Sequence, residues 1–202
     1  MENLFEFLME MDRLKLVTRR AYVKGPDNKL WRNENSAEHS WHLAVAIMAL
    51  KEELHLEFDL LKVIKMALIH DICEIGAGDT SIFDINRAKQ TEKEADYIST
   101  LEQHSIRFAS DIAILWQEYE AQITPESQWV KVVDRLLPFM MNLNTQGKTW
   151  LEQGVTKNQV LKVNQPIADR APVLYAWLLE KVEYAVKEGW LISCDMNETK
   201  PG

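Results

Sequence analysis

An adjacent histidine and aspartate, His70 and Asp71, follow the apolar run LLKVIKMALI. An ionised carboxylate at the end of such a run costs free energy unless a cation or hydrogen bonds compensate its charge. Imidazole nitrogen and carboxylate oxygen together suit a divalent ion such as Mn, Co, Fe or Zn. The pair therefore predicts a metal site, although a hydrogen-bonded helix end is the commoner interpretation of an isolated His-Asp dipeptide.

Two other segments bring ligand-type residues in helical patterns. The string ENSAEHSWH contains His39 near the start of one helix, and VKVVDRLL contains Asp134 within an apolar run, where an unpaired acid is costly. A divalent ion lowers the pKa of a bound water, which makes hydroxide available near neutral pH. Glu74 comes three residues after Asp71, on the same predicted helix face, and suits a carboxylate that orients or deprotonates this water. The pattern favours a hydrolase.

The elements that must carry these residues are predicted to be helices. Asn35, with Glu38 three residues later, is a variant of the capping box and predicts the start of the helix that contains His39. Asp59 can cap the next helix, which carries the His-Asp pair and is expected to end near Gly76. Each candidate ligand is therefore expected on a helix of its own or at the end of one.

The flanking segments complete a helical pattern. Leu4, Leu8 and Met11 have helical spacing and predict a first helix to about residue 16 with these side chains buried. Residues 18–35 contain turn-forming residues and predict a connecting segment. Pro138 is expected to kink or end the helix that carries Asp134. Further helices are predicted at residues 86–104, at 106–119, from 125 onward and at 168–188.

These patterns predict an all-α protein, because no run of alternating β-branched residues is evident. The expected architecture is a single compact helical bundle of about six to eight helices. One domain is expected over residues 1–202, since two domains would each be small. Its metal-site core is expected at about residues 13–140, with C-terminal helices at residues 149–190 packing on it.

Composition limits the partners. The chain has 23 Lys and Arg residues against 31 Asp and Glu residues, a net charge of −8, which argues against long nucleic acid as a ligand. A small phosphorylated metabolite remains compatible, because a metal ion and one or two arginines supply positive charge locally. The two cysteines, Cys73 and Cys194, do not form a disulfide framework. With no signal peptide and no membrane-length apolar stretch, a cytoplasmic location is expected.

Four strings taken together, RLKLVTRR, ENSAEHSWHLAV, LIHDICEIGAGD and VKVVDR, resemble the HD-domain metal-dependent phosphohydrolase superfamily. That family has a histidine, a His-Asp pair and a distant aspartate on helices, and the match covers residues 13–134. More narrowly, the strings look like the 5′-deoxynucleotidase branch, which removes phosphate from deoxyribonucleoside 5′-monophosphates. The resemblance implies a helical HD domain, one divalent ion (Mn, Co, Fe, Zn or Mg), a small nucleotide substrate and a homodimer.

The resemblance also implies residue roles. The implied metal ligands are His39, His70, Asp71 and Asp134. Glu74 and Asp79 would be catalytic, one acting on the attacking water and the other protonating the departing sugar oxygen or binding the sugar. The residues leave open which acid does which.

Two arginines are the candidate substrate-binding residues. Arg19 suits a bidentate grip on phosphate oxygens and on the charge that builds up in phosphoryl transfer. Arg20 is the second candidate and marks a departure from the bacterial deoxynucleotidases, in which an aromatic residue at this place helps to reject the ribose 2′-hydroxyl. The choice between deoxyribose and ribose is therefore open.

The predicted function is hydrolysis of the phosphomonoester of (deoxy)ribonucleoside 5′-monophosphates to nucleoside and phosphate. One alternative keeps the metal and changes the bond, giving a phosphodiesterase or a nucleotide triphosphohydrolase. Another is a catalytically silent nucleotide-binding module that regulates a partner. Intact ligand-type residues together with Glu74 and Asp79 argue against the silent module.

Overall fold

A computed structural model describes residues 1–26, 31–84 and 87–193, without the side chains of residues 87 and 88. The chain divides into two compact units, which are described separately below. The first unit contains residues 1–19 and 34–133, and the second contains residues 20–33 and 134–202. Cys194 lies outside the described residues.

The described elements are almost all helical, as the sequence predicts. In chain order they are α1 (Glu2–Asp12), a 3-10 helix (Arg13–Leu16), β1 (Thr18–Lys24), β2 (Trp31–Asn35), α2 (Ser36–Leu54), α3 (Leu60–Ile69), α4 (Glu74–Ala77), α5 (Arg87–Glu102), α6 (Arg107–Ala121), α7 (Pro125–Asn144), α8 (Lys148–Gln153), α9 (Lys157–Val163), α10 (Gln165–Arg170) and α11 (Pro172–Lys187). None of the helices in the described part of the chain is both long and apolar enough to cross a membrane.

The core of the first unit lies between α1, the turn after α3, α5 and α6. Its buried cluster includes Phe7, Ile69, Ile72, Ile112 and Trp116. Burial of such side chains contributes about 1.5–3 kcal/mol each. The segment that follows α3 is therefore fixed by packing on one side, which leaves its polar residues a defined position.

The second unit packs its helices around aromatic side chains. Phe139 of α7 lies 5.6 Å from Trp150 and 6.0 Å from Trp177, measured between ring centroids. Ile167 of α10 and Leu178 of α11 are fully buried. A single β-bridge, Thr156 to Ile192, joins the start of α9 to the segment after α11.

Several predictions about the elements are wrong in detail. Residues 18–35 form a two-stranded sheet, β1 with β2, because Tyr22, Val23 and Trp31 suit a half-buried strand surface better than a loop. Helix α7 continues past Pro138 to Asn144. Its neighbours Leu137 and Phe139 are buried, and this packing outweighs the one backbone hydrogen bond that proline removes.

Two further corrections concern the ends of the chain. Leu4 and Leu8 are 38% and 51% exposed, so the predicted buried stripe of α1 is wrong for them, and Phe7 is the residue that enters the core. The last helix begins at Pro172 rather than near residue 168. Because α8, α9 and α10 are separate short helices, the described residues contain more helices than expected. The prediction of a single domain over residues 1–202 stays a prediction.

Candidate active site

The start of α2 sets the position of His39. Asn35 Oδ1 accepts a hydrogen bond from the Glu38 backbone N–H at 3.0 Å, and Glu38 Oε2 accepts one from the Asn35 N–H at 3.2 Å. This capping box, which the sequence predicts, fixes the first turn of the helix. His39 lies in the next turn and is fully buried.

His70 and Asp71 lie just past the last residue of α3. His70 Nδ1 is 2.9 Å from the Ala67 carbonyl oxygen. Because a carbonyl oxygen only accepts, Nδ1 of the neutral ring carries the proton and Nε2 carries the lone pair. Asp71 Oδ1 is 3.1 Å from this Nε2. Two electron-pair donors at that separation form an arrangement that a cation stabilises.

His39, His70 and Asp71 form one buried group whose ligand atoms all lie within 4.8 Å of one another. The ring centroids of the two histidines are 5.5 Å apart. Two imidazoles and a carboxylate are a donor set that Mn, Fe, Co and Zn accept. The chemistry and spacing of these three residues therefore fit a divalent ion.

Tyr119 of α6 supports this group from its side. Its ring meets the His70 ring edge-on, with centroids 5.2 Å apart. Lys131 Nζ donates a hydrogen bond to the Tyr119 hydroxyl at 2.8 Å and lies 4.5 Å from the centre of the ring. This contact limits the rotation of the His70 ring.

Arg19 joins the metal-type group to other acids. Its Nη1 donates to Asp71 Oδ2 at 2.6 Å and lies 3.9 Å from Glu74 Oε1. Its Nε lies 3.5 Å from Glu34 Oε2. The Arg19 side chain is only 12% exposed, so these charges interact with little screening by solvent. The predicted phosphate-binding arginine thus lies beside a predicted metal ligand.

Glu74 begins α4 and is buried. The hydroxyl of Ser36, the first residue of α2, donates to Glu74 Oε2 at 2.5 Å. Burial raises the pKa of Glu74 well above its ordinary value, and the negative charge of Asp71 adds to this rise, whereas Arg19 counters it. A carboxyl group whose pKa is raised in this way exchanges a proton with water more readily near neutral pH.

Glu74 and Asp79 line the same cleft, which has a volume of about 400 Å³. The other lining residues are Arg13, Leu16, Val17, Thr18, Ile75 and Gly78. The loop that carries Asp79 is tied to α5, because the Gln90 side-chain amide donates to the carbonyl oxygens of Ala77 and Gly78. The two predicted catalytic acids therefore face one solvent-accessible space.

Asp134 and Arg20 belong to the second unit. Asp134 lies on α7 and is 6% exposed, with Arg135 Nη1 at 3.8 Å from its Oδ2. Arg20 lies on β1 with an exposed side chain, and its carbonyl oxygen accepts a hydrogen bond from Thr149 Oγ1 at 3.0 Å. Their roles as metal ligand and substrate-binding residue stay predictions.

Two residues of this site had no predicted role, Glu34 and Ser36. Both lie in the string ENSAEHSWH, on either side of the helix cap Asn35. Glu34 is 2% exposed and Ser36 is fully buried. An acid placed just before a helix cap is ordinarily a solvated residue, and the sequence carries no signal for its burial.

Comparison with known proteins agrees with this geometry. The model of the HD domain family matches residues 11–175. The chain belongs to the HD-domain family. The match extends beyond the residues 13–134 on which the resemblance was based.

Relatives of this HD-domain chain are named for one activity. It is 27% identical over 140 residues to 5′-deoxynucleotidase HDDC2 of Danio rerio, a match that covers 67% of this chain and 66%, just under two thirds, of the zebrafish protein. It is 32% identical over 142 residues to the protein of the same name from Dictyostelium discoideum, covering 67% and 73%. A crystal structure of a predicted metal-dependent phosphohydrolase from Magnetospirillum magnetotacticum MS-1 has a TM-score of 0.84 and 36% identity, covering 95% of each chain.

Proposed function

We propose that this HD-domain chain is a metal-dependent phosphohydrolase that cleaves nucleoside 5′-monophosphates to nucleoside and phosphate. The observation that carries the proposal is the group of His39, His70 and Asp71, with their ligand atoms within 4.8 Å of one another beside Glu74. The names of the zebrafish and Dictyostelium relatives support the substrate class and favour the deoxy forms.

The proposed metal ligands are those predicted from the sequence: His39, His70, Asp71 and Asp134. The histidine and carboxylate donors suit Mn, Co, Fe or Zn, and Mg is tested with them. When bound, a divalent ion acts as a Lewis acid and lowers the pKa of a water molecule. The group of three in the first unit supports three of these assignments.

Glu74 and Asp79 are the proposed catalytic residues. Glu74, held by Ser36, is suited to orient the attacking water and to receive its proton, because its pKa is raised toward neutrality. Asp79 lines the same cleft and is suited to the departing sugar oxygen, either as a proton donor or as a hydrogen-bond acceptor. The reverse assignment of the two acids has the same charge balance and is separated by the variants below.

Arg19 and Arg20 are the proposed substrate-binding residues. The guanidinium of Arg19 presents several N–H donors in one plane, so contacts with Asp71 leave others for phosphate oxygens. Arg20 is proposed to act near the sugar, where the bacterial deoxynucleotidases have an aromatic residue. A hydrogen-bonding arginine excludes a 2′-hydroxyl less well than an aromatic ring does, so ribonucleotides belong in the substrate panel.

We also propose that the protein is a cytoplasmic homodimer that does not bind long nucleic acid or membranes. The family resemblance supports the dimer, and Phe5 and Leu8 of α1 are 62% and 51% exposed, which provides apolar surface for one. The net charge of −8 supports the absence of nucleic-acid binding. Light scattering on a sizing column tests the dimer directly.

The experiment for the function is phosphate release from a panel of ribo- and deoxyribonucleoside 5′-monophosphates with added Mn, Co, Zn or Mg. Native protein is compared with Asp71→Asn and Glu74→Gln, which keep side-chain shape and remove charge. Asp111→Asn is the matched control, because Asp111 is an exposed acid of α6 outside the site. We expect metal-dependent release that is lost in both site variants and retained in the control.

The products and the failures separate the alternatives. Pyrophosphate or triphosphate released from nucleoside triphosphates, without release from monophosphates, indicates a triphosphohydrolase. Nucleotide binding that survives Glu74→Gln, with no release from any substrate with any metal, indicates a silent binding module. Release that is independent of metal, or unchanged in Asp71→Asn, contradicts the proposed mechanism.

A further inference from the structure

Glu34 is a buried acid next to the active site, and nothing in the proposed chemistry uses it. It lies near the end of β2, and its side chain is 3% exposed. One oxygen, Oε2, is 3.5 Å from Arg19 Nε and 3.5 Å from His39 Nδ1. A single carboxylate oxygen thus approaches a predicted phosphate-binding residue and a predicted metal ligand.

The burial of Glu34 needs a physical reason. An ionised carboxylate out of water costs several kcal/mol unless opposite charge or hydrogen bonds offset that cost. Arg19 supplies the positive charge, and an N–H on His39 Nδ1 supplies a donor. Natural proteins keep such groups where they fix geometry, and an apolar residue would fill the same space at lower cost.

The histidine contact fits a known arrangement of metal ligands. A histidine that binds a metal through one ring nitrogen commonly donates the other N–H to a carboxylate or a backbone carbonyl, which sets the tautomer and the ring orientation. In this site the two histidines use the two kinds of acceptor: His70 faces the carbonyl of Ala67 at 2.9 Å, and His39 faces Glu34. Only the second contact can be changed by substitution of a side chain.

We propose that Glu34 is a positioning residue, which orients the metal ligand His39 and anchors Arg19 beside the metal site through the same carboxylate. Loss of Glu34 then weakens metal binding through His39 and phosphate binding through Arg19. The phosphate part rests on the proposed function, whereas the metal part rests on the group of three ligand-type residues alone.

The experiment measures Mn²⁺ binding to metal-free protein by isothermal titration calorimetry, a readout independent of activity. Glu34→Gln keeps the shape and an accepting oxygen but removes the charge, and Glu34→Ala removes both. Substitution of a carboxylate behind a ligand histidine typically weakens metal binding about 10- to 100-fold. We expect a graded loss, with Glu34→Ala weaker than Glu34→Gln and Glu34→Gln weaker than native protein.

Glu118→Gln is the matched control. Glu118 is also an acid in an ion pair, 2.7 Å from Lys62 Nζ, but it lies in the groove between α3 and α6. The same loss of one negative charge there should leave the Mn²⁺ affinity native. Inorganic phosphate as a competitive inhibitor of the native enzyme and the variants reports on Arg19, and its inhibition constant should rise in Glu34→Gln.

The outcomes are distinct. Native Mn²⁺ affinity in a folded Glu34→Ala protein, judged by circular dichroism, overturns the proposal. An equal loss in Glu34→Gln and Glu118→Gln overturns it too, because that result reflects net charge alone. If native protein binds Mn²⁺ but hydrolyses no nucleotide, the proposed function fails, and the graded loss of Mn²⁺ affinity still supports the role of Glu34. If Glu34→Ala does not fold, a selective loss in Glu34→Gln supports the proposal and its absence contradicts it.

Discussion

The hydrogen bond from Ser36 to Glu74 allows a sharp test of what positions the catalytic acid. Ser36 is the first residue of α2, whereas the cap that starts the helix is Asn35. Ser36→Ala therefore removes the hydroxyl that contacts Glu74 and leaves the capping box intact. Any effect on activity then comes from Glu74 and not from fraying of the helix that carries His39.

The magnitude follows from the burial of both groups. Ser36 is fully buried, Glu74 is 7% exposed, and the bond between them is 2.5 Å long. A hydrogen bond to a charged group is worth about 1.5–3 kcal/mol in place of the usual ~1 kcal/mol. Since each 1.36 kcal/mol is a factor of about ten in rate, loss of this bond from the transition state lowers kcat roughly 10- to 100-fold.

The assay is phosphate release under saturating metal and substrate, with Mn²⁺ affinity measured separately. Ser40→Ala is the control, because Ser40 is 2% exposed on the same helix and its hydroxyl has no hydrogen-bond partner among the described residues. We expect kcat to fall in Ser36→Ala with Mn²⁺ affinity nearly native, and Ser40→Ala to match native protein in both. Equal kcat values in the two variants would refute the idea that Ser36 positions Glu74.

Three further predictions concern stability and the neighbouring loop. Gly76→Ala should destabilise the protein by about 1–3 kcal/mol in urea unfolding, because a Cβ there would lie 2.3 Å from Tyr97 Cδ2. Gln90→Ala should lower kcat while the Mn²⁺ affinity stays native, because it frees the carbonyls that hold the loop at Gly78; an unchanged kcat would show that the loop needs no tie. Mn²⁺ at one hundred times its Kd should raise the free energy of unfolding by about 2.7 kcal/mol, with reversal by a chelator in a thermal melt.

The helices around the site were predictable because their signals are local. The capping box at Asn35 and the cap at Asp59 both lie where the sequence predicts them. Pro138 misled the prediction, because the cost of one lost hydrogen bond is local while the burial of Leu137 and Phe139 depends on the rest of the fold. Strand β1 was missed for the same reason: its partner β2 stands beyond a turn.

The site was predictable to the extent that its chemistry is written in residue types. The family resemblance and the all-α class are confirmed, and the names of the relatives agree with the predicted activity. His39 and the His-Asp pair, 31 positions apart along the chain from His39 to His70, come together as buried neighbours. Glu34 and Ser36 could not be assigned, because their roles depend on contacts that only the folded chain creates.

The charges around Arg19 bear on the order in which metal and substrate bind. Glu34, Asp71 and Glu74 all lie within 3.9 Å of its guanidinium, so the carboxylates outnumber the positive charge they share. Without a cation this surrounding repels a phosphate dianion, and the raised pKa of Glu74 relieves only part of that repulsion. A divalent ion on Asp71 reverses the balance and releases Arg19 from part of its attraction to that carboxylate. The same carboxylates that hold the ion therefore make phosphate binding conditional on it, which prevents a metal-free site from retaining nucleotide.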